Sequence, residues 1–65
     1  MGMTAAEKIA AMKTEADQIV FKLGGWLSVA NRLQTTPDSL RRGFTSVVGS
    51  ESVMLRLRPL LGEQK

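Results

Sequence analysis

The stretch Ser28-Val29-Ala30-Asn31-Arg32-Leu33-Gln34-Thr35-Thr36-Pro37-Asp38-Ser39-Leu40-Arg41-Arg42 holds two short helical patterns separated by three polar residues. On the N-terminal side, Leu27, Ala30 and Leu33 recur at helical spacing, which predicts a helix from Trp26 to Leu33. Gln34-Thr35-Thr36 is the connection. Thr36-Pro37 then opens a third helix: threonine is a good cap, and proline at the first helical position loses only an amide proton that has no partner there. Leu40, Phe44 and Val47 or Val48 supply the buried face of this helix, and Gly49-Ser50 is expected to end it and cap the next segment.

Working outward, Thr4-Ala5-Ala6-Glu7 is a capping box, in which the threonine oxygen accepts the amide proton of Glu7 while Glu7 reaches back to the cap. Ile9, Met12, Ala16, Ile19 and Leu23 come next, at spacings that lay one apolar stripe along a helix of about residues 4–23. Val20 and Phe21 widen that stripe, which leaves apolar surface for a partner subunit. Gly24-Gly25 stops the helix, because glycine takes the left-handed conformation that closes helix C-termini. The segment 51–61 admits two readings. Val53, Met54, Leu57, Leu60 and Leu61 suit a short helix that kinks or ends near Arg58, because Pro59 disrupts a helix interior. Leu55-Arg56-Leu57-Arg58 alternates as a strand does, and the alternative is a β-strand at a dimer interface. The expectation is an all-α, single domain over residues 1–65, with about four helices.

Sixty-five residues bury little apolar surface, so a domain of this size gains from self-association. The chain has no cysteine and no histidine, which removes disulfides and the usual transition-metal ligands. No cofactor, metal or small-molecule ligand is expected. No apolar run approaches the roughly 20 residues that cross a bilayer, and no signal-peptide pattern opens the chain, so the expected location is the cytoplasm and no membrane partner is expected. Net charge is +3. Residues 1–25 are neutral, with Lys8, Lys13 and Lys22 against Glu7, Glu15 and Asp17, so the whole excess lies in residues 26–65. All five arginines fall between Arg32 and Arg58, and the arginine fork suits both phosphate and guanine edges.

Two short helices around a tight turn can simply fill a core, or they can form a helix-turn-helix whose second helix enters the DNA major groove. The residue types favour the second possibility, over about residues 25–48. Ala30 is small enough for two helices to cross closely. Val29 and Leu33 point inward while Asn31 and Arg32 face solvent. Leu40, ten residues after Ala30, stands where the second helix needs an aliphatic anchor. Over residues 24–45 this pattern resembles phage repressors of the Cro and lambda-repressor type, and the Gly24-Gly25-Trp26 lead-in resembles the Fis family. Two positions depart from the pattern. Gln34 stands where glycine is usual and must take a positive φ, and Gly43 stands where an apolar residue is usual, at about 1 kcal/mol of helix propensity.

The resemblance implies a sequence-specific regulator binding double-stranded DNA as a homodimer, in the manner of a small phage or plasmid repressor. Position by position, it implies that Arg41 and Arg42 meet guanine edges or nearby phosphates. Thr36 and Pro37 lie where a phosphate approaches the start of the third helix. Asp38 can accept from a cytosine amino group, Thr45 continues the outward row, and Ser28 and Asn31 lie where the second helix meets the DNA backbone. Arg56 and Arg58 are expected in solvent or flanking DNA, and Trp26 as a core or interface anchor. No enzyme is expected, since the chain has no histidine, no cysteine, no paired carboxylates placed for acid-base work and no phosphate-cradling glycine loop. The competing reading is a protein-interaction module that inhibits or adapts a host protein without touching DNA, since fold does not establish function.

Overall fold

The computed structural model of the chain describes residues 2–62, in the order α1 (Ala5–Lys22), α2 (Trp26–Arg32), α3 (Pro37–Arg42), a 3₁₀ turn (Gly43–Thr45) and α4 (Val47–Gly62). It is a small all-α domain, with no strand among the described residues. Both halves of the capping box on α1 form: Thr4 Oγ1 accepts from the Glu7 amide at 3.1 Å, and Glu7 Oε1 accepts from the Thr4 amide at 2.9 Å. These bonds to Thr4, its backbone amide first, hold the Glu7 carboxyl below its ordinary value.

α1 ends in the manner its two glycines predict. Gly24 and Gly25 have φ of 98° and 108°. The Gly25 amide donates to the Val20 carbonyl at 2.9 Å and that of Gly24 to Phe21 at 3.3 Å, a Schellman closure that satisfies the last carbonyls of the helix. Gly25 then serves as the residue before α2, so the chain turns sharply between the two helices.

The core is the face shared by α1 and α4, closed by α2 and α3. Ala16, Ile19, Val20 and Leu23 from α1 and its cap meet Val53, Met54, Leu57 and Leu60 from α4, with Val29, Ala30 and Leu40 completing it. Val20 is therefore part of this core, whereas Phe21 is 85% exposed. Trp26 is half-buried as a bridge between elements. Its ring meets Phe44 edge-on at 6.3 Å between centroids, and Lys13 of α1 lies 5.7 Å over its face.

Three expectations are corrected here. The third helix does not run on to Gly49: it stops at Arg42, a 3₁₀ turn comes next with Phe44 at a non-helical ψ of 22°, and Ser46 is extended. Ser46 is the cap of α4, its Oγ accepting from the Gly49 amide at 3.0 Å, so Gly49-Ser50 lies inside α4. Second, residues 51–61 are helical throughout, and the strand alternative is excluded. Leu57 is fully buried while Leu55 is 71% exposed, so the apparent alternation is two sides of one helix. α4 passes through Pro59 to Gly62. Burying a leucine is worth roughly 1.5–3 kcal/mol, so Leu60, buried beyond Pro59, offsets much of the roughly 3 kcal/mol of a mid-helix proline. Third, Leu27 is 66% exposed, and α2 contributes Val29 and Ala30 to the core instead.

Candidate nucleic-acid interface

The candidate interface is built on the α2–α3 turn. α2 closes with a second Schellman arrangement: Thr35 donates to the Ala30 carbonyl at 2.9 Å and Gln34 to Asn31 at 3.2 Å. Gln34 is the only non-glycine residue with positive φ among those described, at 57°, the conformation this closure demands. Thr36 is extended and caps α3, its Oγ1 accepting from the Ser39 amide at 3.2 Å. Val29 and Ala30 are fully buried beneath the turn and Leu40 is 1% exposed, so the two helices are fixed to the core by the three residues that the sequence pattern turns inward.

The turn and its anchors set α3 with one side bare. Asp38, Arg41 and Arg42 recur at helical spacing on α3, and all three, with Thr45 of the 3₁₀ turn, are exposed. Asn31 is exposed at the near end. Ser28 faces the α1–α2 turn, where its Oγ stands 3.5 Å from the point a Cβ on Gly24 would occupy. The structure thus brings Asp38, Arg41, Arg42 and Thr45 together on the exposed side, with Pro37 at its edge, while Thr36 caps α3 on the side of Leu40 and Ser28 lies apart.

Several of these groups already have partners. Arg41 Nη2 donates to Asp38 Oδ1 at 3.1 Å, one turn away on the same face. The Thr36 hydroxyl donates to Ser39 Oγ at 3.0 Å, and Thr45 Oγ1 donates to the Arg42 carbonyl at 2.8 Å. Arg32, Arg42 and Arg56 make no salt bridge within the described residues. Arg58 lies elsewhere: its guanidinium donates two hydrogen bonds to Glu15, at 2.9 and 3.0 Å, tying α4 to α1. That hydrogen-bonded guanidinium holds the Glu15 carboxyl below its ordinary value, and Arg58 is raised in turn. Arg58 is thus engaged by the fold, away from the row on α3.

The glycine that departs from the helix-turn-helix pattern has a structural cause. A methyl group on Gly43 would run into the side chain of Val53 and stand 3.1 Å from the Gly49 carbonyl oxygen. The space that an apolar side chain usually fills is taken by α4 itself. The pairing of Asp38 with Arg41 is a feature that motif matching passes over, although their three-residue separation on a helix is its signal.

No group of three or more carboxylates lies together among the described residues in a way that would hold a metal ion, and no helix of the described residues is long and apolar enough to cross a membrane. Comparisons with protein families, with curated proteins and with solved structures find no match to this chain.

Proposed function

We propose that this chain is a sequence-specific DNA-binding regulator, a small cytoplasmic repressor of the phage or plasmid kind that acts as a homodimer through a helix-turn-helix. One observation carries the reading. The left-handed turn at Gln34, seated on buried Ala30 and Leu40, holds α3 against the core with Asp38, Arg41, Arg42 and Thr45 in a single outward row. A short helix held rigidly at one turn, with a polar and basic outer side, is what reading of the major groove requires.

In this reading Arg42, free of any salt bridge within the described residues, and Arg41 approach guanine O6 and N7 or adjacent phosphates. Asn31 and Thr45 flank them as backbone contacts. Asp38 repels phosphate at its own position and accepts from an exocyclic base amine, which favours base-edge contact over indiscriminate backbone binding. Regulation would consist of occupying an operator. A dimer reads two half-sites about one helical turn, roughly 34 Å, apart.

Selection from a pool of random duplexes tests this. The reading expects enrichment of a two-fold repeat with that spacing, containing a G·C pair in each half. Recovery of no motif by folded protein at low salt would remove it. The competing reading, a protein-interaction module without DNA contact, draws support from Leu27, Val48 and Leu55, which are 66%, 77% and 71% exposed. Salt separates the two, because counterion release makes DNA affinity fall steeply as salt rises whereas an apolar protein contact does not weaken in this way.

A further inference from the structure

α1 has two opposite faces. Met12, Ala16, Ile19 and Leu23 turn into the core. On the far side Glu7, Ala10, Ala11, Thr14, Gln18 and Phe21 recur at helical spacing, and every one is exposed. Phe21 is the most exposed of the large apolar residues, at 85%, and an open groove lies beside it, lined by Thr14, Asp17, Gln18 and Lys22. A large apolar knob thus shares a helix face with two exposed alanines, Ala10 and Ala11.

We infer that this outer face of α1 is a docking surface for a second copy of the chain, paired antiparallel about a two-fold axis near residue 16. A two-fold contact requires one patch to complement itself, and one register of this face does so. When Phe21 sits over Ala11 of the other copy, Thr14 falls opposite Gln18, and both can hydrogen-bond. The same register sets Lys22 opposite Ala10, within one helical turn of Glu7. Lys22 of each copy therefore approaches the Glu7 carboxylate of the mate, while Lys13 stays paired with Asp17 of its own chain at 3.2 Å. The face has charges of both signs and no excess of either, which suits a second copy better than a strongly acidic or basic partner. It is separate from the row on α3, so pairing leaves that row open. The inference supplies the dimer surface that two half-sites need, but it does not depend on DNA binding.

The test is sedimentation equilibrium of the full chain over a wide concentration range, alongside Phe21→Glu and Ala11→Glu, with circular dichroism to show that each stays helical. Both substitutions are at exposed positions, and either can stand if the other perturbs the fold. Wild type should move toward twice the monomer mass, and each variant should raise the dissociation constant at least about tenfold. Register is tested by cysteines, since the chain has none. A mixture of Thr14→Cys and Gln18→Cys proteins should form a mixed disulfide dimer faster than either alone. Wild type that remains monomeric, or a dimer that Phe21→Glu and Ala11→Glu leave intact, would overturn the inference. A dimer that binds no DNA overturns the DNA reading alone; a monomer that binds DNA overturns the pairing alone.

Discussion

Gly43 and Gly49 meet so closely that a Cβ placed on Gly49 would lie 2.5 Å from the Gly43 carbonyl oxygen. Side chains essentially never come that near a backbone oxygen, so the contact between the end of α3 and the first turn of α4 requires two glycines. Ser50, fully buried beside them, donates to the Ser46 carbonyl at 2.7 Å and toward that of Gly43 at 3.4 Å, so this junction is also hydrogen-bonded. The junction sets where α3 sits relative to the core.

Alanine at Gly49 therefore acts against its usual trend. In an open helix the change gains about 1 kcal/mol, but here the methyl group must displace backbone. Gly49→Ala is expected to destabilise the fold by roughly 1–3 kcal/mol, as overpacking does. Urea unfolding followed by circular dichroism checks it; a midpoint equal to or above wild type would show that the two segments are not in contact.

The turn offers the opposite experiment. Gln34 holds a left-handed conformation that costs a non-glycine residue about 1 kcal/mol, and no hydrogen bond from its side chain offsets that cost among the described residues. Gln34→Gly should raise the melting temperature by about 4–8 °C, the shift that 1 kcal/mol produces in a domain of this size. A thermal melt decides it, and a lowered melting temperature would mean that the turn is not built as described.

Acid should loosen the contact between α1 and α4. Hydrogen bonding from Arg58 lowers the Glu15 carboxyl below its ordinary value of 4.5 in the folded chain. A depressed folded value means that the contribution is complete above the unfolded value and is lost as pH falls through the folded one. Stability measured from pH 7 down to pH 3 should drop below about pH 4.5. Glu15→Gln should flatten part of that drop while lowering stability at neutral pH. Glu7 contributes in the same direction through its bonds to Thr4 and remains in the variant. Identical pH profiles for variant and wild type would contradict the assignment.

Trp26 reports on the same packing from the other side. Its ring is held between Lys13 and Phe44, which come from α1 and the 3₁₀ turn. Phe44→Ala should remove the edge contact, red-shift the tryptophan emission by exposing the ring, and cost up to about 3–5 kcal/mol, less for a half-buried side chain. Unchanged emission from folded variant would indicate that the two rings are apart.

Much of this architecture is legible in the sequence because local chemistry decides it. The capping box at Thr4, the stop at Gly24-Gly25 and the Thr36-Pro37 start each depend on residues within four positions of one another, and all appear where expected. The inward roles of Val29, Ala30 and Leu40 are equally legible, as is the positive φ at Gln34. Where tertiary packing decides the outcome, local patterns mislead. Gly49-Ser50 resembles a helix stop, yet it is the place where α4 crosses the end of α3, and Ser46 is the true cap. Pro59 resembles a terminator, yet Leu60, buried beyond it, carries the helix past it. The exposure of Phe21 and Leu27 depends on which side of each helix the core takes, and periodicity alone does not settle that.

The most direct test of DNA recognition by α3 is a titration of the chain into fluorescent duplex carrying the selected site, read by anisotropy at two salt concentrations beside the Arg41→Ala, Arg42→Ala double variant. Specific binding should weaken steeply with salt. The variant should lose roughly 1–3 kcal/mol for each guanine contact removed, or about one unit of salt slope for each phosphate contact, with its helicity unchanged. Equal affinity and equal salt dependence for a folded double variant, or no binding by wild type at low salt, would contradict the account.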